Sequence, residues 1–169
     1  MTKVLLIGSS GMLGRYIYKY IKKNPKIKLI HNGIYKKKLN LLNKSKINLL
    51  IRNAKPDLII NTIGLTNVET CEKNEDYSKE INVKIIQNIF ELKKKEKLNF
   101  NFIQISTDQI YDGIKLKKNT ENDRIVLNNI YSKHKRLAEI ICIKNKSLVL
   151  RTNFFGKSMS KNASFTDWV

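Results

Sequence analysis

The chain has 169 residues, of which 41% are hydrophobic, and a formal net charge of +19 carried by 28 lysines and 5 arginines. This length suffices for one domain with a real core, and no apolar run approaches the ~20 residues of a membrane span. The lysines are scattered and arginines are few, so the charge favours a solvated lysine surface over a nucleic-acid site.

The first predicted element is a buried strand at residues 3–7, an aliphatic run that three glycines follow. A helix is predicted after them because apolar residues recur at three- and four-residue spacing up to residue 21. In such a loop Gly8 permits a tight turn, Gly11 lets a diphosphate approach the backbone, and Gly14 lets the helix pack on the sheet. The helix N-terminus then faces the phosphates, so the stretch predicts dinucleotide binding.

The remaining elements alternate between strand and helix patterns. Further strands are predicted at residues 27–30, 58–61, 100–105 and 147–151. Helices are predicted at residues 44–53, at 68–97 in two pieces, and at 130–144 with Leu137, Ile140 and Ile141 inward. This alternation predicts an α/β fold with a doubly wound parallel sheet.

The two cysteines, Cys71 and Cys142, lie far apart and show no CxxC spacing. They are expected to be reduced thiols, which indicates the cytoplasm as the compartment. No spacing of His, Cys, Asp and Glu resembles a metal site.

Two stretches carry candidate chemistry. Thr107 and Asp108 follow a predicted parallel strand, at the edge where open α/β sheets bind ligands. Tyr131 and Lys135 lie four residues apart on a predicted helix and therefore share a face. The nearby ammonium is expected to lower the pKa of the phenol, so that Tyr131 can give a proton to a carbonyl oxygen as hydride reaches the carbon. Thr107 would hold the same oxygen.

Four nearby residues have more ordinary interpretations. Tyr111 is predicted to be a packing residue, and His134 a surface residue. For Asp108, capping of a turn is as good an explanation as substrate contact. Asn82 is predicted either to orient Lys135 through water or to be a polar residue on a helix face.

In chain order, the glycine loop, Asn61-Thr-Ile-Gly64, Ser106-Thr-Asp108, Tyr131-x-x-x-Lys135 and Arg151-Thr152 resemble the extended short-chain dehydrogenase/reductases. The run from Ser106 to Gly113, Ser-Thr-Asp-x-x-Tyr-Asp-Gly, is most similar to the dTDP-4-dehydrorhamnose reductase family. The resemblance implies a Rossmann NAD(P)-binding domain at residues 1–155. It covers only the cofactor-binding part of such an enzyme, so residues 156–169, which begin a helix pattern near Ser164, are expected to start a truncated substrate-domain segment.

The resemblance also implies roles for individual residues. The implied catalytic residues are Thr107, Tyr131 and Lys135. The implied cofactor-binding residues are Gly8, Gly11, Met12, Leu13, Gly14, Asn40, Leu41, Ile63, Gly64, Leu65, Tyr131 and Lys135. The implied substrate-binding residues are Thr107, Asp108 and Phe154.

The implied reaction is hydride transfer from NAD(P)H to a nucleotide-linked 4-keto-6-deoxy sugar. Residues 31–33 lack an acid that would hold an adenosine 2′-hydroxyl, and Lys36 to Lys38 lie near, which favours NADPH with NADH as the alternative. Asn40 stands where the family commonly has an aspartate for the adenine amine, and its amide oxygen can accept the same bond. The expected partners are the nucleotide sugar and a second copy in a homodimer, with no nucleic acid and no membrane.

Two other functions stay open at this point. One is a nucleotide-sugar epimerase or dehydratase with the same Tyr and Lys pair, although a dehydratase would place a carboxylate pair where Asp108-Gln109 follows Thr107. The other is a non-catalytic NADP-binding regulatory subunit, because fold does not fix function. A pure binding module has no need of the proton donor, so the intact Tyr131 argues against it.

Overall fold

The computed structural model describes residues 1–31, 41–111, 118–154 and 156. The strands are β1 (Thr2–Ile7), β2 (Ile27–His31), β3 (Leu58–Asn61), β4 (Asn101–Thr107) and β5 (Leu148–Thr152). The helices are α1 (Met12–Ile21), α2 (Lys44–Ala54), α3 (Val68–Lys73), α4 (Glu75–Lys79), α5 (Ile85–Lys95) and α6 (Ile130–Lys144).

The five strands form one sheet in the order β2-β1-β3-β4-β5, and every neighbouring pair is parallel. Leu5 in β1 is opposite Ile30 on one side and Ile59 on the other. The predicted doubly wound parallel sheet is therefore confirmed. Because all strands run the same way, the carboxyl ends of β1, β3 and β4 meet at one edge, where such sheets bind ligands.

Helices cover both faces of this sheet. Leu5 and Ile7 of β1 join the core cluster that includes α2, α5 and α6, while Val4 and Leu6 join a smaller cluster against α1. Successive side chains of a strand point to opposite faces, so a strand covered twice needs an unbroken apolar run. This explains the aliphatic composition of β1.

The chain between β3 and β4 is helical in several short pieces. Asn67 caps α3 through a bond from Thr70 N, and Asn74 ends α3 and caps α4 through a bond from Tyr77 N. A π-helical turn, Glu80–Lys84, joins α4 to α5 and buries Asn82. Among the described helices none is long and apolar enough to cross a membrane.

One expectation about an inward-facing residue is wrong. Leu137 is 42% exposed. The buried side of α6 combines Ala138 and Cys142, which join the apolar core, with Tyr131, Lys135 and Glu139, which are spaced four residues apart. Leu137 lies outside this buried side.

Candidate active site

The glycine loop after β1 is packed more tightly than side chains would allow. Gly8 has φ +90°, and a Cβ there would lie 2.5 Å from Thr62 Oγ1. A Cβ on Gly14 would lie 2.1 Å from the Gly8 carbonyl oxygen. Gly11 differs, because it is exposed and its Cβ would meet only Gly8 O at 3.5 Å. Packing within the described chain thus accounts for Gly8 and Gly14 but not for Gly11.

The first turn of α1 is open to an anion. Gly11 precedes the helix and no side chain caps it, while Met12 and Leu13 are the first helical residues. The first N–H groups of a helix have no intrahelical partner and carry the positive end of the helix dipole. This end of α1 can therefore bind a phosphate group.

Residues 62–66 leave β3 beside the glycine loop, and polar side chains fix their path. Asn61 donates from Nδ2 to Gln104 Oε1 at 2.8 Å, and its Oδ1 accepts from Ile63 N at 3.1 Å. Thr62 Oγ1 donates to Ile7 O at 2.9 Å. The ends of β1, β3 and β4 are thus joined by side-chain hydrogen bonds.

Asn82 of the π-helical turn holds this segment from behind. Its Oδ1 accepts from Leu65 N at 3.0 Å, and its Nδ2 donates to Leu65 O at 3.1 Å. Cys71 Sγ also donates to Leu65 O, at 3.4 Å. A Cβ on Gly64 would lie 3.4 Å from Asn82 Oδ1 and 3.9 Å from Lys135 Nζ. Asn82 is therefore a buried clamp on Leu65 and not a polar residue on an open helix face.

At the end of β4, Thr107 begins a short 3₁₀ turn, Asp108–Ile110. The turn is capped by Thr107, whose Oγ1 accepts from Gln109 N at 3.2 Å. Asp108 thus does not supply this cap, and its exposed side chain borders the cleft described below.

Tyr131 and Lys135 lie in the first turns of α6. Asn129 and Ser132 form a capping box that fixes the start of the helix. Lys135 is only 5% exposed and donates from Nζ to Ile105 O at 2.6 Å. Burial lowers the pKa of Lys135 to about 8, against the opposing effect of Glu139.

The expected lowering of the tyrosine pKa is wrong. Burial raises the pKa of Tyr131 above its ordinary value, and the hydrogen bond with Thr107 offsets only part of this effect. Desolvation is the largest effect on the phenol, and Lys135 is not among the groups that shift its pKa. Tyr131 is therefore neutral at pH 7, which is the form that can donate a proton.

A buried carboxylate that sequence reasoning missed ties α6 to the sheet. Glu139 is 0% exposed. Its oxygens accept from Ser106 Oγ at 2.6 Å, Arg136 Nη1 at 2.8 Å, and Arg151 Nε and Nη2 at 3.1 and 3.0 Å. Burial alone would raise its pKa, but these bonds together lower it. Glu139 follows Lys135 by four residues, and this spacing was the available signal.

Tyr111 belongs to the same network. Arg151 Nη1 donates to Tyr111 Oη at 2.8 Å, and Tyr111 does not line the cleft formed by Tyr131 and Lys135. The hydrogen bond from Arg151 anchors Tyr111, in addition to the packing role predicted from the sequence.

His134 was expected on the surface, and this expectation is wrong. The side chain is 2% exposed, and its Nδ1 lies 2.8 Å from Ser78 Oγ. α6 packs against α4 and the π-helical turn, and these two elements cover the face of α6 that carries His134.

One cleft gathers many of the predicted site residues. Those that line it are Leu13, Ile63, Gly64, Thr107, Asp108, Tyr131, Lys135 and Phe154. Gly8, Gly11, Met12 and Gly14 form the adjoining loop and helix start. Leu65 is held by Asn82, and Leu41 is buried in the larger core cluster. Asn40 lies outside the described residues.

Two further observations concern the chemistry of this cleft. The buried Thr152 hydroxyl, which also borders it, has no hydrogen-bond partner among the described residues. Within the described ranges, no group of three or more His, Cys, Asp and Glu side chains could hold a metal ion.

A family model described as the RmlD substrate binding domain matches residues 1–166. The chain belongs to this RmlD family. Among its relatives is a dTDP-4-dehydrorhamnose reductase of Aggregatibacter actinomycetemcomitans, 29% identical over 160 residues, which cover 93% of this chain and 53% of that protein. The spore coat polysaccharide biosynthesis protein SpsK of Bacillus subtilis is 29% identical over 156 residues, 91% of this chain and 53% of the relative.

A solved structure supports the same RmlD relationship. The dTDP-4-dehydrorhamnose reductase of Clostridium acetobutylicum matches with a TM-score of 0.85 and 26% identity. The match covers 99% of this chain and 57% of that one. This chain thus spans about half the length of the relatives that it matches.

Proposed function

We propose that this chain binds NADPH across the carboxyl edge of its sheet and carries the proton donor of a nucleotide-sugar reductase. The proposed substrate is a nucleotide-linked 4-keto-6-deoxy sugar, in keeping with the names of the relatives. The observation that carries the proposal is the convergence of Tyr131, Lys135 and Thr107 on one cleft beside Gly64. A homodimer and a cytoplasmic location belong to the same proposal.

The residues present fit a nicotinamide dinucleotide. Gly11 leaves open space where packing does not require a glycine, and the start of α1 has no side-chain cap. Gly11, Met12 and Leu13 would hold the diphosphate. NADPH, when bound, supplies the hydride.

The nicotinamide end of the cofactor would lie along Ile63, Gly64 and Leu65, the segment that Asn82 holds. Lys135 would hold the nicotinamide ribose. The adenine end would meet Asn40 and Leu41.

The side chains of the cleft support proton transfer to a ketone. Tyr131 holds its proton at pH 7 because burial raises the pKa of the phenol. Once Tyr131 has donated that proton, the phenolate would be stabilised by its hydrogen bond with Thr107, which favours the ionised form. Asp108 and Phe154, at the mouth of the cleft, would border the sugar.

Cofactor titration tests the first half of the proposal. Binding of NADPH and NADH to the purified chain, followed by the fluorescence of the reduced nicotinamide, is expected to be tighter for NADPH. This preference rests on Lys36 to Lys38, which lie outside the described residues. Equal affinities would remove the preference, and no binding of either nucleotide would remove the function.

Substitution of the phenol tests the second half. In a full-length version that turns over a nucleotide-linked 4-keto sugar, Tyr131→Phe is expected to lower this turnover by about 10²–10⁴-fold with nearly unchanged NADPH affinity, because only the proton donor is lost. Tyr111→Phe is the matched control, since it removes a hydroxyl that faces Arg151 outside the cleft. Equal turnover in the two variants would remove the role of Tyr131.

The alternatives give different results in the same assays. An epimerase or dehydratase would interconvert nucleotide sugars without net oxidation of NADPH. A non-catalytic NADP-binding regulatory subunit would bind NADPH and show no turnover that depends on Tyr131. The described lining of the cleft contains one carboxylate, Asp108, which favours the reductase over a dehydratase.

A further inference from the structure

A line of buried polar side chains connects α6 to the segment behind the cleft. His134 Nδ1 lies 2.8 Å from Ser78 Oγ, and Asn82 Nδ2 donates to the same oxygen at 3.2 Å. Asn82 also holds both backbone groups of Leu65. His134, Ser78 and Asn82 are all buried, and none of them lines the cleft.

In one arrangement of the protons, every hydrogen bond of this line has a donor and an acceptor. Asn82 donates to Ser78 Oγ, so the Ser78 hydroxyl is free to send its own hydrogen to His134 Nδ1. The imidazole then accepts at Nδ1 and carries its proton on Nε2, which faces Glu75 Oε1 at 3.8 Å. A Ser78 oxygen so committed can only accept from Asn82.

The direction of the hydrogen bond from Asn82 to Ser78 determines how the Asn82 amide is oriented. Ser78 Oγ and Leu65 O both require a donor, and Leu65 N requires an acceptor. A reversed amide would bring its oxygen against two other oxygens. We propose that His134 and Ser78 are positioning residues that fix the Asn82 amide and, through it, the backbone of Leu65 beside the cofactor path.

The arrangement requires a neutral imidazole. The charged groups that act on His134 are Glu75 and Lys79 of α4 and Lys133 of α6. Burial is the largest effect and lowers the pKa of His134, so the side chain is neutral at pH 7. Protonation at lower pH would place a hydrogen on Nδ1, and the Ser78 hydroxyl would lose its acceptor. The hold on Leu65 should therefore weaken as the pH falls below the ordinary histidine value of ~6.5.

The direct readout is the hydrogen exchange of the Leu65 amide, measured by NMR as a protection factor in the 169-residue chain. His134→Ala is expected to lower this protection about two- to tenfold, the effect of one weakened hydrogen bond. His134→Asn keeps an acceptor near Nδ1 and should restore the protection without the pH dependence of an imidazole. Phe90→Leu, a core change in α5, is the control for general destabilisation.

NADPH affinity is the second readout, and this part rests on the proposed function. His134→Ala and Ser78→Ala are each expected to weaken NADPH binding about two- to tenfold relative to Phe90→Leu. His134→Asn should bind NADPH as the original chain does at pH 7 and should lack the loss of affinity that the original shows as the pH falls below ~6.5.

Two failures are distinguishable. If the original chain binds no nicotinamide nucleotide, the proposed function fails, while Leu65 protection still decides the positioning role. If Leu65 protection is the same in His134→Ala and Phe90→Leu at matched stability, the positioning role is overturned. Should His134→Ala not fold, Ser78→Ala and His134→Asn provide the same comparison.

Discussion

Replacing glycines of the first loop one at a time should separate folding from cofactor binding. In Gly14→Ala the new Cβ would lie 2.1 Å from Gly8 O, 2.8 Å from Gly8 C and 2.9 Å from Ser9 Cα, all backbone atoms that cannot rotate away. The loop or α1 must therefore move by more than an ångström to reach ordinary contact. Overpacking of this kind costs about 3 kcal/mol, and alanine's better helix propensity returns about 1 kcal/mol.

The expected net loss of about 2 kcal/mol corresponds to a fall in Tm of about 4–8 °C for a chain of this size. Gly11→Ala, whose Cβ meets only Gly8 O at 3.5 Å, should leave Tm within about 2 °C of the original. It should nevertheless weaken NADPH binding about tenfold or more, because the methyl group occupies the path of the diphosphate. Thermal unfolding by circular dichroism and NADPH titration of both variants provide the test. Unchanged NADPH affinity in a folded Gly11→Ala variant would refute a diphosphate at this loop.

Other predictions concern the buried charges of α6. Glu139→Gln should lower stability by about 3 kcal/mol in urea unfolding, because two guanidinium groups lose their buried partner, whereas Glu91→Gln, from an exposed pair with Lys44, should cost less than about 1 kcal/mol. The lowered pKa of Glu139 means that its stabilisation is present above ~4.5 and is lost as the pH falls through its folded value, so the difference between Glu139→Gln and the original should shrink in acid. Lys135→Met should raise Tm at pH 7 while weakening NADPH binding, because a charge whose folded pKa is about 8 is removed and Ile105 O keeps its bond from Gln104. The pKa of Lys135 is higher in the unfolded chain than in the folded chain, so the original chain gains stability as the pH rises from about 8 to ~10.5. The Tm advantage of Lys135→Met should therefore shrink over this range.

Each of these expectations has a contradicting result. Equal losses in Glu139→Gln and Glu91→Gln would show that the buried network contributes no more than a surface pair. A difference between Glu139→Gln and the original that persists unchanged at pH 3 would assign the effect to something other than the carboxylate charge. A Tm below that of the original for Lys135→Met at pH 7 would show that the bond to Ile105 O outweighs the desolvation of the ammonium.

The fold was accessible from the sequence because its central strands are covered on both faces. β1 is apolar from Val4 to Ile7 and β3 from Leu58 to Ile60, and the residues that end these runs are recognisable as a glycine loop and an asparagine. Helix lengths were harder to predict between residues 68 and 95, where Asn74 both ends α3 and caps α4. An asparagine can end one helix and cap the next, so its presence in the sequence does not show where each helical piece begins and ends.

The site was predictable only where it depends on local spacing. Residues four apart on a helix share a face, and the structure places both Tyr131 and Lys135 at the cleft. The burial of His134 and Glu139 depends on partners 56 and 33 residues away, Ser78 and Ser106. Local spacing places Glu139 on the same helix face as Lys135 but does not show that His134 or Glu139 is buried. The direction of the Tyr131 pKa shift was missed for the same reason, since desolvation is set by all the surrounding elements.

The strand order has a consequence for synthesis on the ribosome. β1 lies between β2 and β3, so its second edge stays unpaired until residue 61 has left the exit tunnel. Until then four consecutive buried aliphatic residues, Val4 to Ile7, are exposed to other nascent chains. Parallel pairing between such distant segments is slow, so the nascent polypeptide is open to aggregation during this interval.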